Sequence, residues 1–177
     1  MLDLLRQDHH RIRRLLALLD AKAAAIRAEQ EIQYDLLKDV LDYLHHYVDG
    51  VHHSEEDELL AILADDNLKA DIKRQHHKLD DATQCLGQRV DMVLLDAVVP
   101  QDEMLRSLEE FICEQRAHLA FEEEKLFPVL EAKLSTQDWA AVRQRLEQKA
   151  EKDPLFGAEV RADHRALWER LNEETEE

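Results

Sequence analysis

Apolar residues recur at three- and four-residue spacing through four long stretches of this chain, a period that fits amphipathic helices and little else. The first stripe runs from Leu2 through Leu5, Ile12, Leu15, Leu16 and Leu19 to Ile26, where Glu29-Gln30-Glu31 interrupts it. A second runs from Ile32 through Leu37, Val40, Leu44, Val48 and Val51 to Leu63, ending at Asp65-Asp66-Asn67. The third covers Leu68 to about Val98 and stops before Pro100, because the residue preceding a proline is pushed out of helical geometry. The fourth spans roughly Asp102 to Leu134, with Pro128 expected to kink or end its last turns. With 3 glycines and 3 prolines in 177 residues there is little material for linkers, and strand-like runs are almost missing. Short connections between long helices imply antiparallel neighbours, so the expected fold is all-α, an up-down-up-down four-helix bundle over residues 1–134.

Residues 135–177 read as a C-terminal appendage of two short additional helices. Ser135-Thr136-Gln137-Asp138 resembles a capping box, with Asp138 where Glu or Gln is more usual, and opens a helix to about Lys149. After the Asp153-Pro154 break and Gly157, a final helix is expected from Ala158 to Asn172.

A net charge of -17 repels a phosphate backbone and sets aside nucleic acid as a partner. Asp3 and Arg6 break the apolar stretch that a secretory signal needs, and charges interrupt every apolar run before the roughly 20 residues of a membrane span. The expectation is therefore a cytoplasmic protein, with a homodimer left open. Cys85 and Cys113 lie outside any CxxC pattern, which argues against a disulfide framework or a zinc knuckle, and they read as buried free thiols.

Ten histidines are placed so that each of the four stripes carries at least one. His52 and Glu56 are four apart on the second helix, as are His118 and Glu122 on the fourth, so each pair projects from one helix face and can grip one metal. His9 lies 21 residues before a turn at residue 30 and His52 lies 22 after it; Glu56 lies 10 before a turn at residue 66 and His76 lies 10 after it. His76 stands 23 before a turn at residue 99, and His118 and Glu122 stand 19 and 23 after it, straddling the same level. Either pair alone is an ordinary surface pairing. Both together, with histidines at matching height on the other two helices, favour a metal layer of His9, His52, Glu56, His76, His118 and Glu122. Imidazole nitrogen and carboxylate oxygen suit iron, manganese or zinc, and carboxylates from two helices can span two ions.

Adjacent helix positions differ by about 100 degrees, so one member of each doublet, His9-His10, His52-His53 and His76-His77, is expected to face inward. Leu5, Ile12 and Leu16 favour His9, and Leu79 favours His76; the neighbours stay open as replacements. His45, Asp80 and Glu114 lie one or two turns deeper and read as residues that orient the ligands or as solvated side chains. His164 has no matching partner and reads as structural or exposed.

Asp8-His9-His10-Arg11-Ile12, His52-His53-Ser54-Glu55-Glu56, Gln75-His76-His77-Lys78-Leu79 and His118-Leu119-Ala120-Phe121-Glu122-Glu123-Glu124-Lys125-Leu126-Phe127-Pro128 together resemble the hemerythrin-like HHE cation-binding family over about residues 1–134. Asp153-Pro154-Leu155-Phe156-Gly157 is similar to a tail of a bacterial subset. The resemblance implies a non-haem di-iron centre bridged by the two glutamates and an oxo or hydroxo species. It also implies binding or sensing of dioxygen, nitric oxide or peroxide, or repair of damaged iron-sulfur centres. Oxygen-carrying hemerythrins have HxxxH on the third helix, whereas Lys73 stands three before His76 and four before His77, so one histidine ligand is expected to be lacking. The ExxH signature of ferritin-like di-iron proteins is absent as well. A binding or sensing protein is the leading expectation, ahead of an iron donor for cluster repair and of a metal-free structural bundle.

Overall fold

The computed structural model describes residues 2–141, 144 and 153–173, and these contain helices and turns but no strand. Helix α1 spans Leu2–Arg27. It closes through Glu29, a non-glycine residue at φ 53, with Glu29 N–H donating to the Ile26 carbonyl and Gln30 N–H to the Ala25 carbonyl, both at 3.0 Å. This pairing satisfies the last carbonyls that a helix leaves open.

The second helical stretch is α2 (Tyr34–Tyr43), a π-helical segment over Leu44–His52, and α3 (His53–Ile62), following one another without an intervening loop. Helix α4 covers Asp66–Leu94, its first turn capped by the Asp65 carboxylate, which accepts from Leu68 N–H at 3.1 Å. The predicted extension to Val98 is corrected: Asp96 takes φ 59 and repeats the closure seen at Glu29, with Asp96 N–H on the Val93 carbonyl and Ala97 N–H on the Met92 carbonyl. Leu95 and Val98 are left exposed in the turn that follows.

The fourth stretch is α5 (Gln101–Phe121), a π segment over Glu122–Leu126, and α6 (Phe127–Lys133). Pro128 does not end this stretch. It falls in the first turn of α6, directly after the wide π turn has already interrupted the i to i−4 ladder, so its missing amide breaks no regular bond. A helix α7 over 136–141 opens on the expected box, with Ser135 N–H donating to Asp138 Oδ2 at 2.9 Å and Asp138 N–H to Ser135 Oγ at 3.2 Å. Its anticipated end at Lys149 lies outside the described residues. The last helix begins later than the sequence suggests: a 3-10 turn over Ala162–His164 leads into α8 (Arg165–Glu173). The chain from Asp153 is spent on turns closed by Gly157 N–H on the Asp153 carbonyl and Arg161 N–H on the Pro154 carbonyl.

Contacts between neighbours pair rising with falling residue numbers. Asp20 meets Arg116, and Gln101 Nε2 donates to the Ile26 carbonyl at 2.6 Å. Lys38 meets Asp91 at 3.3 Å, and Lys78 meets Glu114 at 2.6 Å. The interior forms two apolar clusters. The larger includes Ile12, Leu16, Val40, Leu44, Leu86, Leu108 and Phe111, and the smaller gathers Leu2, Leu5, Leu59, Ile72, Leu126 and Leu130 at the other end. Leu155, Leu167 and Leu171, from the C-terminal segment, are buried in the larger cluster. Each fully buried leucine contributes about 1.5–3 kcal/mol.

Gly87 lies inside α4, where a Cβ would meet nothing within 4 Å. A mid-helix glycine costs backbone entropy without packing in return, so Gly87→Ala is expected to stabilise the chain by about 0.5–1 kcal/mol, read as an increased urea midpoint at unchanged slope.

Candidate metal centre

Between the two apolar clusters every long helical stretch turns a polar side chain inward. His9 follows Leu5 by one turn on α1, and His76 follows Ile72 by one turn on α4. The two π segments touch the same layer, since one ends at His52 and the other begins at Glu122. Such wide turns re-aim side chains relative to a regular helix and recur at functional sites.

Side chains from all four stretches converge on two adjoining groups. The nearest ligand-type atoms of His9, His52, Glu56 and Glu122 lie within 4.8 Å of one another, and so do those of His53, Glu56, His76 and His118. The two carboxylates join the groups. Glu56 turns Oε1 towards His52 Nε2 at 3.4 Å and Oε2 towards His76 Nε2 at 3.3 Å. Glu122 turns Oε2 towards His9 Nε2 at 3.1 Å and Oε1 towards His118 Nε2 at 3.1 Å, with His76 Nε2 at 3.6 Å from the same Oε1.

All six residues singled out from the sequence therefore meet, and a seventh, His53, joins them. His10 and His77 are exposed, so at those doublets the first member faces inward. His52 and His53 are both buried, at 2% and 5% exposure, which corrects the expectation of one inward residue per doublet. Both fit because this helix has interior neighbours on two sides: the His52 ring lies 5.4 Å from that of His9, and the His53 ring stacks on His76 at 3.9 Å. The second helical stretch thus turns two imidazoles inward, His52 and His53, where the third turns one, His76.

The inward atoms lack hydrogen-bond partners. His9 Nε2, His52 Nε2, His76 Nε2, His118 Nε2 and both oxygens of Glu56 and Glu122 are fully buried and none makes an aligned hydrogen bond. A buried polar group left in this state costs about 1–3 kcal/mol, more if charged. The donor set fits a pair of cations, because imidazole nitrogens and carboxylate oxygens that converge on a common point can coordinate once any protons they carry are displaced. The outward ring nitrogens of His9 and His118, by contrast, have partners. His9 Nδ1 meets Glu123 Oε1 at 3.0 Å, and Glu123 is held by Arg13 at 2.8 and 2.9 Å. His118 Nδ1 meets Gln75 Oε1 at 3.1 Å. His52 Nδ1 lies 3.8 Å from Asp8 Oδ2, beyond hydrogen-bonding distance, and Asp8 accepts from Arg11 at 2.9 Å. A partner on the outer nitrogen fixes the tautomer that presents the inner one to a metal. Sequence reasoning missed Glu123 and Gln75 in this role, although Gln75 adjoins His76 and Glu123 adjoins Glu122.

Electrostatics in the layer are uneven. Burial raises Glu56, and the Glu122 carboxylate raises it further. Burial also works on Glu122, but the close imidazoles of His118, His76 and His9 outweigh it and hold that carboxyl well below the usual range. His53 is driven well below its ordinary value by burial and by His76, His52 and His118 around it. Burial opposes protonation of His52 and His76, yet the neighbouring carboxylates prevail and push them up to about 10 and about 9.

The other candidates lie elsewhere. His45 Nδ1 is 3.5 Å from Asp80 Oδ1 on the flank of the bundle, and Glu114 pairs with Lys78. His164 meets Asp163 at 3.0 Å, its ring 6.1 Å from Tyr43. Cys85 and Cys113 are exposed, correcting the expectation of buried thiols; each sits on the solvent side of its helix stripe. Among the described residues no helix is long and apolar enough to cross a membrane.

No curated protein and no solved structure matches the chain. The hemerythrin family model, described as the hemerythrin HHE cation binding domain, matches residues 1–130, well over half of the 177 residues, and the chain belongs to that family of cation-binding domains.

Proposed function

We propose that this chain holds two iron ions in an up-down-up-down helical bundle and binds or senses dioxygen, nitric oxide or peroxide there. One ion is held by His9 and His52, the other by His53, His76 and His118, with Glu56 and Glu122 shared between them. The observation that carries this reading is the division of each carboxylate: one oxygen of Glu56 and of Glu122 faces each histidine group. Manganese or zinc can occupy the same donors, because the divalent affinity order alone gives little selectivity. When bound, iron supplies an open coordination position for a small ligand. The protein's part is to fix the imidazoles, exclude bulk water and keep the Glu122 carboxylate ionised. A bound pair is expected to give about two irons per chain after anaerobic loading and, once oxidised, visible charge-transfer bands that shift with azide. A colourless chain retaining fewer than about one iron would overturn the assignment.

Protons and metal ions compete for the same lone pairs. In the metal-free chain His52 and His76 are raised to about 10 and about 9, so at pH 7 both carry protons that a cation must displace. Apparent affinity is therefore expected to rise with pH and to level off above about 10. Calorimetric titrations in buffers of different ionisation enthalpy read the protons released at pH 7, and zero release would contradict this protonation state.

A further inference from the structure

The buried pair has one side from which water can reach it. His9, Glu56 and Glu122 have no exposed side-chain area, and His52 and His118 have 1% and 2%. His76 is the outlier at 11%. It opens, with His53, into a surface groove of about 500 Å³ between the π segment and α4. The rest of the groove is not an ordinary solvated face. Its walls include His45, His77, Asp57 and Asp80, a mixture of imidazole and carboxylate donors rather than an acidic patch, and His45 and Asp80 already approach at 3.5 Å across two helical stretches. At its inner end, behind His76 Nε2 by 3.3 Å, lies Glu56 Oε2, on a fully buried carboxylate with neither oxygen hydrogen-bonded. A cation moving inward along this groove meets donors of the same chemistry at every stage, ending on an unpartnered one.

We propose that the groove is a loading vestibule for hydrated divalent cations, in which His45, His77, Asp57 and Asp80 take the ion from water and pass it through His76 and His53 to the buried pair. The inference rests on the metal-binding reading of that pair and adds a route to it. Donors of this kind act on the rate of capture: the Asp57 and Asp80 carboxylates draw cations to the groove, where fixed charge in a cleft speeds association by about 10–1,000-fold, and the imidazoles replace water around the arriving ion. They make no contact with the ion once it is seated, so the filled site is unchanged by their loss.

The test is stopped-flow mixing of the metal-free full-length chain with Co²⁺ under anaerobic conditions, following the visible bands of the bound ion. Three versions are compared with wild type: Asp57→Asn with Asp80→Asn, His45→Gln with His77→Gln, and, as a control of equal charge change on a distant surface, Asp35→Asn with Glu169→Gln. The carboxylate pair is expected to slow uptake about tenfold, and the histidine pair to slow it in the same direction by removing ligating nitrogens, with final Co²⁺ content and spectrum as in wild type, while the control loads at the wild-type rate. Uptake by the groove variants at the wild-type rate overturns the vestibule while leaving the buried pair intact. Equal slowing by the control reduces the effect to net charge and overturns it as well. A wild-type chain that takes up no Co²⁺ overturns the site reading itself.

Discussion

Glu56→Ala is expected to abolish binding of both metal ions, whereas His53→Ala leaves one. Glu56 is the residue common to the two convergent groups, offering Oε1 to the His52 side and Oε2 to the His76 side, so its removal strips a ligand from each ion at once. His53 belongs to one group only, and the His9 and His52 side keeps its donors when that ring is lost. Metal content after dialysis should then fall from about two ions per chain to near none for Glu56→Ala and to about one for His53→Ala. Far-ultraviolet circular dichroism establishes that the helices persist, which the two flanking apolar clusters should ensure. Two ions retained by Glu56→Ala would refute the shared-carboxylate geometry. Two ions retained by His53→Ala would reduce that residue to a ring stacked on His76.

Metal loading should also raise the melting temperature by about 5–10 °C. The metal-free layer keeps at least eight buried donor and acceptor atoms without hydrogen bonds, and it sets two carboxylates against one another in a dry interior. A cation relieves both conditions in the folded chain and finds no comparable site in the unfolded one. At a free metal concentration of about 100 times Kd this linkage is worth about 2.7 kcal/mol, and for a chain of this size each kcal/mol moves the midpoint by about 2–4 °C. Parallel calorimetric scans of the loaded chain and of the chain treated with a chelator measure the difference. Coincident midpoints would mean that the layer is satisfied without metal.

The sequence carried the layer of the bundle at which polar groups meet, because helical rise converts residue counts into heights and the four stripes share common turns. It also separated His9 from His10 and His76 from His77, since Leu5, Ile12, Ile72 and Leu79 mark which side of each helix is buried. It failed at His53. Treating each helix as having one inward face excludes a second inward residue, whereas a helix inside a bundle has two buried flanks and can use both. The π turns were illegible for a related reason: they depend on tertiary packing and leave no propensity signal at Leu44–His52 or Glu122–Leu126. The helix end at Asp96 escaped notice because it takes the left-handed conformation without the glycine that usually announces it; the same closure at Glu29 fell where the apolar stripe already broke off. The long-range supports of the ring nitrogens, such as Glu123 beneath His9 at a separation of 114 residues, follow only once the helices are assembled.

Asp153 links the end of the chain to this centre. Its buried carboxylate accepts from Leu155 and Phe156 N–H at 2.9 Å, receives the Tyr43 hydroxyl at 3.3 Å and lies 3.6 Å from Arg11, the residue that steadies Asp8 beside His52. Arg11 also donates to the Phe156 carbonyl at 3.3 Å. Loss of the segment from Asp153 onward would remove two of the groups that hold the Arg11 guanidinium, the Asp153 carboxylate and the Phe156 carbonyl, leaving it to Asp8. The C-terminal segment thus braces α1 one turn from the layer, and a chain trimmed to its four long helical stretches would lose that brace.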